Sequence, residues 1–145
     1  MENLKLRVWD NIKNTMYPVH GIDFLNPATV NFNGESQPYQ LAPTLGIIAN
    51  CDIIVMVSTY KYDNKGNEIW EDDILEESYC DRWHISYRPY KGQWYGCYVG
   101  PESPKDRARG HQVKELSEIS PCLVIGNRWE NPELIFNHKK KKGFP

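Results

Sequence analysis

The densest concentration of ionisable side chains lies between residues 68 and 81: Glu68, Glu71, Asp72, Asp73, Glu76, Glu77 and Asp81. Carboxylates at this spacing can do two kinds of chemistry. Two or three turned to one point supply the hard oxygen ligands that Mg²⁺ or Ca²⁺ requires, and Glu71, Asp72 and Asp73 are the candidate ligands of such a site within 68–77. A pair sharing one proton can act as general acid and base. The adjoining Asp63-Asn64-Lys65-Gly66 does not extend the run into a calcium loop, because Lys65 stands where an oxygen ligand is needed. A solvated acidic face is the plainer reading of the run. A surface that meets a basic partner or mimics DNA is another.

A second constellation joins rings to cations. Between residues 82 and 98, Trp83, Tyr87, Tyr90, Trp94, Tyr95 and Tyr98 interleave with Arg82, Arg88 and Lys91. Surfaces for single-stranded nucleic acid stack bases on such rings, each base contributing about 1–3 kcal/mol. Arg82, Trp83, Tyr87, Arg88, Tyr90, Trp94 and Tyr98 are therefore the candidate nucleic-acid or partner-binding residues. Against this, strand alternation turns every second ring inward, so at least half belong to a core or to a contact with another subunit.

Nucleophilic machinery does not gather in the sequence. His20, His84, His111 and His138 are scattered, and no serine sits in a G-x-S-x-G elbow. Cys51, Cys80, Cys97 and Cys122 are widely spaced with no C-x-x-C pair, which suits buried small side chains in a reducing compartment better than zinc. His84, inside an alternating run, reads as a packed or hydrogen-bonded side chain rather than a base. Residues 100–110 (GPESPKDRARG) lack the G-K-[ST] ending of a phosphate loop. No enzymatic activity and no cofactor are expected.

The chain of 145 residues, 40% hydrophobic and 25% charged, is long enough for one domain with its own core. Its formal charge of −2 conceals an asymmetry. Four of the 17 basic residues are Lys139, Lys140, Lys141 and Lys142, and the remaining 13 stand against 19 acidic ones, so the body carries about −6. Such a body repels phosphate backbones and disfavours broad nucleic-acid binding. The opening Met1-Glu2-Asn3-Leu4-Lys5 has no apolar leader, and no apolar run reaches membrane-spanning length. A cytoplasmic protein without membrane contact is expected.

These groups must be positioned by short strands. Residues 4–9 alternate and open the fold as a strand that Asp10-Asn11 ends. Residues 18–50 carry four prolines and three glycines, which predicts mostly loop with short strands near 22–25 and 28–32. Ile53-Ile54-Val55-Met56-Val57 is a β-branched run suited to a strand covered on both faces. Residues 63–67 form a turn around Gly66, and 68–77 form either a turn or helix, or a strand starting at Ile74. Residues 83–88 and 93–99 make a hairpin. Val113, Leu116 and Ile119 permit a helical turn, residues 122–125 a last core strand, and Asn131-Pro132 a helix start with Asn131 as N-cap.

Two segments resemble the YopX family. Asp63-Asn64-Lys65-Gly66-Asn67-Glu68-Ile69-Trp70-Glu71-Asp72-Asp73-Ile74 is similar to its D-x-N-G-x-E-I-Y-E-G-D-I pattern, and 124–134 (VIGNRWENPEL) is similar to its V-I-G-N-I-Y-E-N-P-E-L. Leu6-Arg7-Val8-Trp9-Asp10 followed by Met16 also resembles the family's start. Asp72 stands where that pattern has glycine, so the turn before Ile74 is expected to differ in shape, and Tyr60-Lys61-Tyr62 replaces a threonine-glycine-hydrophobe. The resemblance implies a phage or prophage accessory protein that self-associates, with no catalytic residues to carry over; a host or phage protein met through the aromatic and acidic surfaces is the expected partner. Gly66, Ile69, Trp70, Ile74, Gly126, Asn127, Trp129, Asn131, Pro132 and Leu134 read as structural anchors of the two motifs. The expected architecture is α+β and β-rich: a small bent antiparallel sheet or SH3-like barrel with short helical turns and long loops. One domain, 1–137, holds a core sheet at about 53–125 joined by strand 4–9, and 138–145 form a basic flexible tail.

Overall fold

The computed structural model describes residues 5–23, 29–41, 52–77, 80–89, 91–100 and 112–135, with 40–41 as backbone. Strand β1 (Leu6–Asp10) runs into a tight turn because the Asp10 carboxylate accepts the amides of Ile12 and Lys13, both at 3.0 Å. The chain returns as β2 (Thr15–Pro18). A small meander follows, β3 (Gly21–Asp23), β4 (Thr29–Phe32) and β5 (Glu35–Pro38), then the short β6 (Gln40–Leu41). Strand β7 (Ile53–Tyr62) is antiparallel to β1 and parallel to β6, and β8 (Glu68–Trp70) pairs along its far end.

The second half is one antiparallel sheet curled into a half-barrel. Its strands are β9 (Asp73–Glu77), β10 (Arg82–Arg88), β11 (Gln93–Gly100), β12 (Val113–Glu115) and β13 (Cys122–Asn127), in the order β12-β11-β10-β9-β13. Short 3-10 turns stand at Leu116–Glu118 and Pro132–Leu134. The small bent antiparallel sheet expected from the sequence is therefore present. No helix among the described residues is long and apolar enough to cross a membrane.

Alternation explains the cores. On β7, Ile53 and Val55 pack with Val8, Val30 and Phe32, while Ile54 and Met56 pack with Trp9 on the opposite face. Both faces are buried, as the β-branched run requires. On β10, Trp83 and Ile85 point into the half-barrel with Ile69, Leu75, Tyr98, Leu116, Ile119 and Cys122. The intervening His84 and Ser86 point the other way and are also buried.

Some local readings needed correction. Residues 35–38 are a strand where loop is predicted, and residues 15–18, for most of which no element is expected, are a strand as well. Phe32 pairs with Glu35 across Asn33-Gly34, both at positive φ, which is the two-residue hairpin turn that Asn-Gly favours. Residues 68–77 are two strands around a sharp corner, with no helix. Asn131 does not cap with its side chain. Its Oδ1 accepts the Asn127 amide at 3.2 Å, and the segment after it is a single 3-10 turn.

Gly96 marks the tightest approach in the half-barrel. A Cβ there would lie 2.3 Å from Ile119 Cδ1 and 3.0 Å from Trp83 Cβ. Gly96→Ala should therefore lower stability by about 1–3 kcal/mol in urea unfolding, the usual range for overpacking. Ile119→Val in the same chain should restore part of that loss. Equal stability of Gly96→Ala and wild type would show that the interior is looser than described.

Candidate functional site

The acidic residues of the sequence meet the structure at the corner between β8 and β9. There the chain leaves the first sheet and enters the half-barrel, and three successive carboxylates take three different directions. Glu71 turns to β7: its amide donates to the Val57 carbonyl at 2.9 Å, and its Oε1 accepts the Val57 amide at 3.1 Å. Asp73 turns to β1, where Arg7 donates to its Oδ1 at 2.9 Å, and its Oδ2 accepts the Trp70 amide at 2.7 Å. The same Arg7 also donates to the Glu71 carbonyl at 3.0 Å and lies 5.2 Å from the Trp70 ring.

Asp72 turns inward. It is 1% exposed and sits at φ +69°, the left-handed region that glycine enters freely and aspartate tolerates better than most residues. Its amide donates to the Ile85 carbonyl and its carbonyl accepts the Arg128 amide, each at 2.9 Å. Its Oδ1 meets His84 Nε2 at 2.8 Å, and its Oδ2 accepts the Trp129 indole N–H at 2.9 Å. One side chain thus joins β10 to the turn after β13. The position where the resemblance has glycine keeps the backbone shape that glycine would give and adds a buried carboxylate.

Burial sets the protonation of this corner. Glu71 is pushed up to about 7 by burial and by the adjacent Asp72 charge, and Asp73 to about 6 by burial, with Arg7 pulling against it. His84 is fully buried, which is the largest single influence and would lower its pKa, but the hydrogen bond and charge of Asp72 together with the neighbouring Cys97 outweigh burial and raise it. Beyond His84 stands Cys97, its direct partner in the β10–β11 register. The carboxylates nominated as metal ligands, Glu71, Asp72 and Asp73, each have internal partners. Among the described residues no three His, Cys, Asp or Glu side chains converge on a point that a metal ion could occupy.

The two glycine-bearing motifs close around the same joint. Asp63 Oδ1 accepts the amides of Lys65 and Asn67 at 2.9 and 2.8 Å, and its Oδ2 accepts the Val124 amide of β13 at 2.9 Å. Those bonds hold its carboxyl below the usual range despite burial. Gly66 supplies the positive φ of this turn, at +85°. Ile69 and Ile74 are buried and Trp70 is half-buried. At the other motif, Asn127 Oδ1 accepts the amides of Trp129 and Glu130 at 3.0 and 2.8 Å. Gly126 is required by closeness: a Cβ there would fall 2.4 Å from Asn131 Oδ1 and 2.9 Å from Leu134 Cδ1, a methyl of the 3-10 turn that Pro132 opens.

The aromatic hairpin divides. Trp83 is fully buried, its N–H donating to Glu77 at 3.1 Å and its ring edge-on to Tyr98, itself 7% exposed. Arg82 donates to the Leu134 carbonyl at 3.2 Å, and the Arg88 guanidinium lies over Tyr95 at 5.2 Å. Tyr90 lies outside the described residues. Tyr87, 40% exposed, packs edge-on against Trp94 at 5.1 Å. Trp94 in turn lines an open cleft of about 490 Å³, with Tyr62, Ile69, Leu116 and Ile119 among its walls. Sequence reasoning missed Tyr62 and this cleft because its walls come from three separate segments, 61–69, 92–94 and 115–122. It also missed the pairing of His84 with Asp72; the positive-φ demand at Asp72 was the available signal.

The family model described as YopX protein matches residues 5–136. A solved structure, "Crystal structure of protein EF1440 from Enterococcus faecalis", superposes with a TM-score of 0.51 at 20% identity, covering 92% of this chain and 99% of that one. At that identity the likeness is one of fold. No curated protein matches.

The corner should make stability fall as pH rises. Glu71 and Asp73 carry folded pKa values above their unfolded ones, so the folded state holds more protons than the unfolded chain between about pH 4.5 and 7. The His84 contribution, from a raised pKa, is present below about pH 6.5 and lost as pH rises through the folded value. All three act in one direction. The melting temperature should drop by about 5 °C or more from pH 5 to pH 8, and Glu71→Gln should flatten that slope while keeping the acceptor for Val57. A melting temperature that climbs over this interval would contradict the assignment.

Proposed function

The chain belongs to the YopX family, and from that starting point we propose that it is a non-catalytic, self-associating interaction protein of the phage accessory type, working in the cytoplasm of a host cell. The observation that carries this reading is the division between spent and available groups. The corner carboxylates, Arg7 and Asp63 are consumed in internal bonds, whereas two exposed rings, Tyr62 and Tyr87, 57% and 40% exposed, flank the cleft that Trp94 lines; the exposed Ile12 lies elsewhere, in the turn after β1. Aromatic rings at a cleft margin are what protein contacts favour, because they bury much area at small entropic loss. The occupant proposed for the cleft is a second copy of the chain, and a host or phage protein would meet the assembled form.

The exposed Tyr87 ring next to Arg88 supports a narrower second reading, single-stranded nucleic acid at the edge of the hairpin. Burial of Trp83 and Tyr98 leaves it fewer rings than the sequence offers. Sedimentation velocity at tens of micromolar separates the readings when paired with anisotropy of a labelled oligonucleotide at low salt. Wild type should sediment as an assembly and leave the oligonucleotide free, and Tyr62→Ser with Tyr87→Ser should yield a folded monomer. A wild type that stays monomeric ends the self-association reading, and oligonucleotide binding lost in Tyr87→Ser would put the second reading in its place.

A further inference from the structure

His84 has a second face that the corner does not use. Its Nε2 is held by Asp72 at 2.8 Å, while Nδ1, fully buried, has no well-formed hydrogen bond among the described residues. Directly opposite His84 across β10–β11 stands Cys97. Both residues lie on the sheet face away from the aromatic core, so the free side of the imidazole and the thiol are neighbours in one line running Asp72, His84, Cys97. Ser86, two residues along the same face, brings its hydroxyl to 3.8 Å from the Cys97 sulfur. Unlike the buried Cys122, Cys97 is only half-buried.

We propose that Cys97 is a reactive thiol, positioned by Asp72, His84 and Ser86 to form mixed disulfides with low-molecular-weight disulfides. In the step, the Cys97 proton is held by the imidazole and the thiolate attacks one sulfur of the small disulfide. A new S–S bond forms, the old one breaks, and the departing thiolate carries away the electron pair. The modification requires no other oxidant.

Electrostatics around the sulfur agree with this placement. Burial pushes the Cys97 thiol up, but the nearby His84, Ser86 and Arg88 together outweigh it and hold the thiol below its ordinary value. Burial raises Cys122 without such help. The charged groups that bear on Cys97 among the described residues are His84, backed by Asp72, and Arg88 on β10. On β12 the partner is the neutral Val113, with Glu115 next on that face, opposite Tyr95. A thiolate at Cys97 would place negative charge beside the sheet edge at β12, and a bulky adduct there would alter that edge.

The test is alkylation by iodoacetamide across pH, with peptide mass spectrometry assigning each cysteine, alongside incubation with oxidised glutathione. Cys97 should alkylate at pH 7 about tenfold faster than the exposed Cys80 despite its lesser exposure, with an inflection below the ordinary thiol value of about 8.5. It should also be the first site to carry glutathione. Asp72→Asn should move the inflection up. Because that variant disturbs a buried hub, Ser86→Ala and Arg88→Gln serve as milder ones, each predicted to slow Cys97 while leaving Cys80 unchanged. Cys97 reacting no faster than Cys80 in the folded wild type, or an inflection at the ordinary value, overturns the proposal.

Discussion

Everything in this fold turns on a two-residue corner at Glu71 and Asp72. In that short distance the chain must leave a strand paired to β7 and begin one paired to β10 and β13, and it does so with three adjacent carboxylates at an interior position. A buried carboxylate without partners is strongly unfavourable, so the corner is stable only if each finds donors in a different element. Arg7 from β1, the Val57 amide from β7, His84 from β10 and Trp129 beyond β13 answer that demand. The polar requirement of one turn therefore dictates how the first sheet sits against the half-barrel.

The two family signatures are parts of this joint. Asp63 ties the turn after β7 to Val124 on β13, and the Gly126–Asn127–Asn131 knot aims Trp129 at Asp72. Shape is what they supply, and the shape is that of a joint between sheets. The substitution of aspartate for glycine at 72 fits the same logic: the left-handed backbone remains, and a hydrogen-bonding hub is added at the price of a buried charge.

What the sequence made legible, and what it hid, follows from the range of the interactions. The β-branched run at 53–57, the hairpin at 83–99 and the Asp63–Gly66 turn are local signals, and each became the element its pattern indicates. The acidic run was misleading because side-chain direction at a corner depends on positive φ at one residue, which composition does not report. Seven acids in fourteen residues look like a solvated face, yet Asp72 and Asp73 are buried. The Asn33-Gly34 hairpin was overlooked among prolines that suggested loop. His84 was read correctly as a hydrogen-bonded side chain, but its partner, twelve residues away across a strand and a turn, could not be named from spacing.

Binding, on this account, is left to what the joint does not consume: the rings at the cleft margin and the thiol behind His84. The claim on which this rests is that Asp72 couples separate segments rather than merely filling space. A double-mutant cycle of Asp72→Gly, which keeps the left-handed backbone and removes both acceptor oxygens, and Trp129→Phe, followed by urea unfolding, measures that coupling most directly. The account predicts a coupling of about 1 kcal/mol or more, because the second substitution has little left to remove once the carboxylate is gone. Effects that add to within about 0.5 kcal/mol would mean that the two residues do not hold each other, and the corner would lose its place as the joint of the fold.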